Sequence, residues 1–248
     1  MKNPNSCLSV FHPLIAQWFC NTFGSPTDIQ KKSWPHIIAG EHVLISAPTG
    51  SGKTMTAFLW AINQLVIGQW KTGRTQVLYV SPLKALNNDI QRNLIYPLEQ
   101  LRTLFEKENS VFPEIHVRTR SGDTPQSERR RMLRYPPDIL ITTPESLNLL
   151  LSSVKGQILL NSLSTVILDE IHSIISTKRG THLITAVDRL IPLSGDFQRI
   201  GISATVKPKQ TVAAYMGGYK LEGTNRSPKY SPRQIAIIQT DMNKKYDL

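Results

Sequence analysis

The stretch Ala47-Pro-Thr-Gly-Ser-Gly-Lys-Thr54 decides the fold of this chain. It follows a short apolar run at residues 42–46 and leads into an apolar helical pattern over residues 58–66. A strand, a glycine-rich loop and a helix in this order form a P-loop, whose backbone N–H groups converge on phosphate oxygens at a helix N-terminus. Lys53 would supply a point charge to the β- and γ-phosphates, and Thr54 would offer a hydroxyl to Mg²⁺. The nucleotide is expected to contact Pro48, Thr49, Gly50, Ser51, Gly52, Lys53 and Thr54.

A second acidic element is needed to complete such a site. The apolar run at residues 165–168 leads directly into Asp169-Glu170-Ile171-His172, hereafter the acidic box. Asp169 would hold Mg²⁺ through its water shell, and Glu170 would orient and deprotonate the attacking water. Two adjacent acids alone could merely cap a helix, but together with the P-loop they predict an ATP hydrolysis site.

Short apolar runs alternate with helix-length segments along most of the chain. This alternation predicts an α/β fold with a mostly parallel central sheet and helices on both faces. The predicted strands lie at residues 42–46, 76–80, 115–119, 139–142, 165–168, 199–203 and 234–238. The first 40 residues are expected to form helices beside the sheet, with Leu8, Phe11, Leu14, Ile15 and Trp18 on one apolar face.

Helix boundaries and loops are predicted from proline and glycine. Apolar residues between 86 and 105 recur at helical spacing, and Pro97 should kink or split that helix. Thr124-Pro125 and Thr143-Pro144 each suggest an N-cap followed by proline at the first helical position. A Gly-, Ser-, Pro- and Lys-rich stretch at residues 217–232 is expected to be a loop. One domain over residues 1–241 is expected, followed by a truncated linker at 242–248.

The charge balance indicates a polyanion-binding protein. The chain has 29 Lys and Arg against 18 Asp and Glu, a net charge of +11, and a pI near 9.8. The basic residues that would suit an extended phosphate backbone are Arg118, Arg120, Arg129, Arg130, Arg131, Arg134, Lys178 and Arg179. Cys7 and Cys20 show neither disulfide nor zinc spacing, and the absence of an apolar run of about 20 residues predicts a cytoplasmic protein without membrane contact.

The ordered motifs resemble those of superfamily 2 DExD/H-box helicases, and most closely the large helicase-related (Lhr) subfamily. Besides the P-loop and the acidic box, the motifs are Phe23-Gly-Ser-Pro-Thr27-Asp-Ile-Gln30, Val80-Ser-Pro-Leu-Lys-Ala-Leu-Asn-Asn88, Arg120-Ser-Gly-Asp-Thr-Pro125, Pro136-Pro-Asp-Ile-Leu-Ile-Thr-Thr-Pro-Glu-Ser146, Lys178-Arg-Gly180 and Gln198-Arg-Ile-Gly-Ile-Ser-Ala-Thr205. The likeness covers nearly the whole chain. Ordinary DEAD-box RNA helicases would have Asp in place of His172. The resemblance implies a RecA-like P-loop NTPase domain.

The resemblance also assigns roles to residues. In the Q-motif, Gln30 would read N6 and N7 of adenine, with Thr27 beside it and Phe23 stacked on or near the base. His172 joins the catalytic set, while Ser203, Ala204 and Thr205 would couple that set to the nucleic-acid site. The nucleic-acid contacts implied are Ser81, Pro82, Leu83, Lys84, Asn87, Arg120, Ser121, Gly122, Thr143, Pro144 and Glu145. At the residue level, the Thr-Pro caps need no ligand, and simple capping stays open for these loops.

By the same resemblance, the cofactors are ATP and Mg²⁺, and the partners are single-stranded DNA or an RNA–DNA hybrid and a second RecA-like domain of the parent chain. The family implies 3′ to 5′ movement, unwinding and a role in DNA repair. Two alternatives stay open: a nucleic-acid-binding module that binds ATP without turnover, and a double-strand DNA translocase. A GTPase is disfavoured because Asn243-Lys-Lys-Tyr-Asp247 has one residue too many for a guanine motif.

Overall fold

The computed structural model describes residues 6–82, 89–204, 207–224 and 227–240. Nine strands occur there: β1 His42–Ser46, β2 Val77–Val80, β3 Val117–Arg120, β4 Ile139–Thr142, β5 Thr165–Leu168, β6 Gln198–Ser203, β7 Tyr219–Thr224, β8 Ser227–Pro232 and β9 Ile235–Gln239. The α-helices there are α1 Pro13–Phe23, α2 Asp28–Ile38, α3 Lys53–Val66, α4 Tyr96–Lys107, α5 Gln126–Arg134, α6 Pro144–Leu151, α7 Val154–Leu159, α8 Lys178–Asp188, α9 Ile191–Ser194 and α10 Lys209–Gly217. Two 3₁₀ turns, Ser6–Leu8 and Ile171–Ser173, and a π-helical turn, Gln91–Ile95, complete the set.

Seven of the strands form one sheet in the order β3-β4-β2-β5-β6-β1-β9, and every pair in it is parallel. All seven predicted strands are therefore confirmed, with shifts of one or two residues at some ends. For the central strands, the apolar runs in the sequence were sufficient to predict a strand, because a strand buried on both faces needs no alternation of polar residues.

The two faces of the sheet build two separate cores. Val43, Ile45 and Tyr79 contribute to a core with α1, α2, α3 and α4, whereas Leu44 and Leu78 contribute to a core with α6, α8 and α10. Successive side chains of a strand point to opposite faces, so each central strand supplies both cores. The predicted helices on both faces are confirmed. In the N-terminal helices, Leu8, Phe11, Ile15 and Trp18 are buried, and Leu14 is half-buried.

The predicted loop at residues 217–232 is wrong, because β7 and β8 form an antiparallel two-stranded ribbon there. Pro228 and Pro232 argued against strands. They are tolerated because this ribbon stands apart from the seven-stranded sheet, where a missing N–H removes no central ladder bond. Residues 242–248, the predicted linker, lie outside the described residues.

Of two local expectations about helix boundaries, one was wrong and one is confirmed. Pro125, not Thr124, occupies the N-cap of α5, and Thr124 Oγ1 instead accepts a hydrogen bond from Ser121 N at 2.8 Å. The predicted break near Pro97 is confirmed: the helix winds as a π-helix over Gln91–Ile95 and becomes α-helical at Tyr96. Proline has no N–H to donate to the preceding turn, which accounts for the irregularity at this point. In the described part of the chain, no helix is long and apolar enough to cross a membrane.

Candidate functional site

The carboxyl ends of the parallel strands meet at one edge of the sheet, where ligands of open α/β sheets bind. The P-loop follows β1, and the acidic box follows β5. Between these two strands lies β6, which ends at Ser203. Backbone bonds hold these strand ends together: Ala47 N donates to Ser203 O of β6 at 3.2 Å, and Asp169 N donates to Val80 O at the end of β2 at 2.9 Å.

The P-loop has the backbone shape that phosphate binding requires. Gly50 and Gly52 have φ angles of 77° and 88°, values that glycine adopts readily because it has no Cβ. Lys53, only 6% exposed, begins α3. Its Nζ donates to the carbonyl of Pro48 at 2.7 Å. Burial lowers the pKa of Lys53, while the nearby Glu170 and Asp169 carboxylates act in the opposite direction.

The acidic box faces the P-loop from the neighbouring part of the sheet. Asp169 is 7% exposed, accepts a short hydrogen bond from Tyr79 Oη, and accepts another from Glu170 N at 2.8 Å. Burial raises the pKa of Asp169 to about 6, against the lowering effect of the Tyr79 bond. Glu170 has a left-handed backbone with φ 51°, which is unusual for a residue with a Cβ.

One cavity of about 320 Å³ brings the predicted catalytic groups together. It is lined by Thr49, Gly50, Gly52, Lys53 and Thr54 from the P-loop, by Asp169 and Glu170 from the acidic box, and by Asp89, Arg92 and Asn93. The sequence analysis did not predict Asp89, Arg92 or Asn93 as site residues. Their spacing of three and four residues marks one helical face, but nothing in the sequence shows that this face turns toward the P-loop.

The Q-motif residues lie against the P-loop. Gln30 is 4% exposed, and its Oε1 accepts a hydrogen bond from Thr27 N at 2.9 Å. Thr27 Oγ1 donates to Ser51 O at 3.0 Å, and a Cβ added to Gly52 would stand 2.8 Å from Gln30 Nε2. Phe23 is 50% exposed and packs its ring against Trp18 and Phe19. The Gln30 amide is thus next to the P-loop, whereas the Phe23 ring contacts the aromatic side chains of α1.

His172 connects the acidic box to the end of β6. Its Nδ1 accepts a hydrogen bond from Ala204 N at 3.2 Å and lies 3.2 Å from Ser203 Oγ. Because a backbone N–H can only donate, Nδ1 carries no proton here. The other ring nitrogen, Nε2, is 3.2 Å from Glu170 Oε2 and is left to donate to it. Ser203 and Ala204 are therefore in contact with the box through His172, while Thr205 lies outside the described residues.

The predicted nucleic-acid residues gather at the other half of the same edge, where β3, β4 and β2 are neighbours. Ser81 N donates to Thr142 O at 3.1 Å, and Thr142 Oγ1 donates to Arg120 O at 2.8 Å. The three loops that begin at Ser81, Ser121 and Thr143 are thus adjacent. Leu83, Lys84 and Asn87 lie outside the described residues.

These loops are stabilised by two arginines. Arg129 donates to the carbonyls of Thr124 and Gly122, each at 2.7 Å. Arg179 donates to Glu145 at 2.6 Å and to Pro82 O at 3.1 Å, and the hydrogen bond from Arg179 lowers the pKa of Glu145. Thr143 caps α6 by accepting from Ser146 N, and Pro144 occupies its first turn. Capping and loop support therefore account for Thr143 and Arg129 without a ligand.

The remaining basic residues do not all lie at this edge. Arg118, Arg131 and Arg134 line a separate cavity of about 700 Å³ together with Gly73, His116, Tyr135 and Pro136. His116 and Pro136 precede β3 and β4, so this basic cavity lies toward the amino ends of the strands. The arginines that the sequence suggested for one backbone track are thus divided between two edges.

Comparison with known proteins places this site in a family. The DEAD/DEAH box helicase family matches residues 27–213. The chain is 47% identical over 217 residues to the ATP-dependent helicase Lhr-Core protein 2 of Thermococcus barophilus, covering 86% of this chain and 25% of that protein. It is 48% identical over 213 residues to the Lhr helicase/probable uracil glycosylase of Mycolicibacterium smegmatis, covering 85% of this chain and 14% of that protein.

Solved structures agree with this result. The Mycobacterium smegmatis helicase Lhr bound to ssDNA and AMP-PNP superposes with a TM-score of 0.82 at 44% identity, covering 94% of this chain and 28% of that one. The DEAD-box helicase Mss116 bound to ssRNA and UDP-BeF, at 18% identity and a TM-score of 0.73, over 93% of this chain and 43% of that one, shares the fold. The chain spans about a quarter or less of the length of the curated relatives described above. With its P-loop, its acidic box and its RecA-like sheet, the chain belongs to the DEAD/DEAH box helicase family and is similar within it to the Lhr helicases.

Proposed function

We propose that this chain is the ATP-binding domain of a helicase that couples ATP hydrolysis to movement along single-stranded DNA or to unwinding of DNA or RNA–DNA hybrids. The observation that carries the proposal is the single cavity that Lys53, Thr54, Asp169 and Glu170 line together. The Lhr structure with ssDNA and AMP-PNP, at 44% identity, supports both ligands.

The residues of the cavity fit a magnesium–nucleotide complex. Thr54 supplies a hydroxyl and Asp169 a carboxylate, the oxygen donors that Mg²⁺ prefers. Mg²⁺ would neutralise charge on the phosphates during the reaction. Lys53 would leave the Pro48 carbonyl to contact the β- and γ-phosphates. Glu170, held by His172, would orient the attacking water and accept its proton.

Adenine specificity is assigned to Gln30. Its side-chain amide can pair with both N6 and N7 of adenine, and it is held next to Gly52 of the P-loop. Phe23, half-exposed beside Trp18, would support the base. Guanine presents O6 where adenine presents N6–H₂, so one hydrogen bond would be mispaired.

Nucleic acid is assigned to the loops after β2, β3 and β4. Ser81, Pro82, Arg120, Ser121, Gly122, Thr143, Pro144 and Glu145 would contact the phosphate backbone, joined by Leu83, Lys84 and Asn87. The same carboxyl edge carries the nucleotide cavity, so both ligands would lie on one side of the sheet. Contacts to phosphates would position the strand without reading its sequence.

A second RecA-like domain would complete the ATP site in this proposal. The much greater length of the relatives supports it. Such domains contribute an arginine finger, whose absence typically costs about 10³ to 10⁵ in rate. Residues 1–248 alone would therefore bind ATP, hydrolyse it feebly and unwind nothing. Robust strand-stimulated turnover by the purified chain, abolished by Lys53→Ala, would contradict this part.

The variant Glu170→Gln distinguishes the proposed ATP hydrolase from a module that binds ATP without turnover. If the whole protein is the hydrolase, this variant should keep nucleotide binding and lose strand-stimulated ATP hydrolysis, as measured by phosphate release with and without single-stranded DNA. Glu106→Gln, an exposed carboxylate on α4 outside the nucleotide cavity and outside the proposed nucleic-acid loops, is the matched control and should keep most of the turnover. Full turnover in Glu170→Gln would remove the assignment of the base. Absence of turnover in the unmodified protein would favour the binding module.

A further inference from the structure

One wall of the nucleotide cavity is built by the helical segment that follows β2. Its lining residues are Asp89, Arg92 and Asn93, and the other residues that line the cavity come from the P-loop and the acidic box. β2 pairs directly with β5, the strand that ends at the acidic box, whereas β1 and the P-loop are two strands further away. The segment also packs against α3, the helix that begins at Lys53, so it meets the cavity beside the P-loop as well as beside the acidic box.

The backbone of this segment has an irregular winding that favours a functional role. Residues Gln91–Ile95 form a π-helical turn just before Pro97 enters the first turn of α4. Single π-turns inserted in helices occur frequently at functional sites. Asn93 Nδ2 donates to the carbonyl of Asp89 at 2.9 Å, which bridges the entry to the turn on the cavity face. In this arrangement Asp89, Arg92 and Asn93 all line the cavity.

The charges in the cavity leave Arg92 available for an anion. Two cations, Lys53 and Arg92, and three carboxylates, Asp89, Asp169 and Glu170, line it. Among the described residues, no carboxylate lies within ion-pair distance of Arg92, and its side chain is exposed. Lys53 Nζ, by contrast, already donates to the Pro48 carbonyl. A guanidinium can donate two parallel hydrogen bonds to one phosphate, a geometry that lysine lacks.

The position of Arg92 selects one phosphate of the ligand. The P-loop amides surround the N-terminus of α3 and would hold the inner phosphates. The outermost phosphate must point toward Glu170, which would activate the attacking water, and Arg92 lines the same cavity as Glu170. We propose that Arg92 is a second phosphate-contacting cation that binds the terminal phosphate of a nucleoside triphosphate, and that the Asn93–Asp89 hydrogen bond stabilises the turn that carries it. The inference rests on the proposed nucleotide site and adds a triphosphate-specific contact to it.

The test compares AMP-PNP and ADP, which differ by the terminal phosphate, by isothermal calorimetry on the 248-residue chain. Arg92→Ala should weaken AMP-PNP binding by about tenfold or more, the effect of losing a charge-assisted hydrogen bond. ADP binding should change by less than about twofold, since the proposed partner is absent from ADP. Arg92→Lys, which keeps the charge without the planar fork, should fall between the wild type and Arg92→Ala. Arg102→Ala removes an exposed arginine on α4 outside the cavity and should bind both nucleotides as the wild type does.

The outcomes separate this inference from the function on which it rests. Equal weakening of AMP-PNP and ADP in Arg92→Ala, or no weakening of either, would overturn the terminal-phosphate contact. If Arg92→Ala fails to fold by circular dichroism, Arg92→Gln provides the same comparison with a side chain of similar length. A wild-type chain that binds neither nucleotide, or a Lys53→Ala variant that binds both as the wild type does, would overturn the nucleotide site itself.

Discussion

Asp169 is a carboxylate buried beside two other charged groups, Glu170 and Lys53, at the base of the cavity. In the folded chain, its pKa is raised from 3.8 to about 6. The folded state therefore binds a proton more readily than the unfolded state does. Its contribution favours folding below about pH 4 and is lost as the pH rises through about 6. The carboxylate that we propose as an Mg²⁺ ligand thus costs stability at neutral pH.

Asp169→Asn should accordingly stabilise the nucleotide-free chain at pH 7.5, by about 1 to 3 kcal/mol. Asparagine can still accept from Glu170 N and can donate to Tyr79 Oη, so both hydrogen bonds survive. Thermal unfolding at pH 7.5 and at pH 4 measures the effect, which should shrink at the lower pH. Asp123→Asn, in the exposed part of the loop after β3, is the control. A stabilisation of equal size at both pH values would contradict the assigned pKa shift.

Gly52 offers a test of the contact between the P-loop and Gln30. Gly52→Ala and Gly50→Ala both force a side chain into a left-handed backbone, at a cost of about 1 to 2 kcal/mol each. Only at Gly52 does the new Cβ meet a neighbour, Gln30 Nε2 at 2.8 Å. We expect Gly52→Ala to reduce the preference for ATP over GTP and Gly50→Ala to retain it, measured as the ratio of the two dissociation constants. The same ratio in both variants would mean that Gln30 does not read the base.

At the scale of single residues, the sequence was sufficient for the P-loop and the acidic box. Each of these motifs is a continuous stretch after a buried strand, and strand ends in a parallel sheet share one edge. The sequence was insufficient to predict that Arg92 lines the cavity, because Arg92 reaches the cavity only through the π-helical turn and the pairing of β2 with β5. No local pattern specifies either feature.

At the scale of elements, β6 is connected to two helices by a fully buried cation. Arg199 is 0% exposed; its guanidinium donates to Asp188 at 2.8 Å and to the carbonyls of Met216 and Gly217 at 2.9 and 3.1 Å. These contacts join β6 to the C-terminal ends of α8 and α10. The C-terminal ends of helices carry partial negative charge, which favours a cation there.

Arg199→Ala should destabilise the chain by about 3 kcal/mol, because the buried Met216 carbonyl and the Asp188 carboxylate lose their donor and the Gly217 carbonyl keeps only Arg233. Asp188→Asn should cost only about 1 kcal/mol, since Asp188 is 45% exposed and Arg199 keeps its two carbonyl partners. Urea unfolding of both variants measures the difference. Equal losses would mean that the ion pair, rather than the helix carbonyls, retains Arg199 in the core.

Prediction of the elements succeeded where burial determined the structure. Several of the sheet strands, such as β2 and β4, are continuous and fully buried, and Thr143 caps α6 as expected. The β7–β8 ribbon escaped prediction because its proline-containing strands are largely exposed, as at Tyr219, Leu221 and Tyr230. Thr124 was assigned to the wrong cap position because its hydroxyl forms a turn with Ser121 rather than capping α5.

At the scale of the whole molecule, the basic residues divide between the carboxyl edge of the sheet and the basic cavity toward its amino ends. Each phosphate contact to a single strand contributes about −0.7 to the slope of log affinity against log salt. Arg120→Ala, at the carboxyl edge, should flatten that slope by about 0.7 for single-stranded DNA. Arg134→Ala, in the basic cavity, should leave it unchanged. Fluorescence anisotropy across a salt series measures the slope for both variants and so shows at which edge of the sheet the DNA strand binds. A flatter slope only in Arg134→Ala would place the strand at the amino edge.

The central claim is that the cavity between the P-loop and the acidic box binds ATP, with Lys53 on the phosphates and Gln30 on the base. Calorimetric titration of the 248-residue chain with ATP and with GTP, in the presence of Mg²⁺, tests it most directly. We predict that the wild type binds ATP at least about tenfold more tightly than GTP, because one buried hydrogen bond is mispaired with guanine. Lys53→Ala should bind neither measurably. Equal affinities for ATP and GTP would contradict the role of Gln30, and ATP affinity unchanged in Lys53→Ala would contradict the site as a whole.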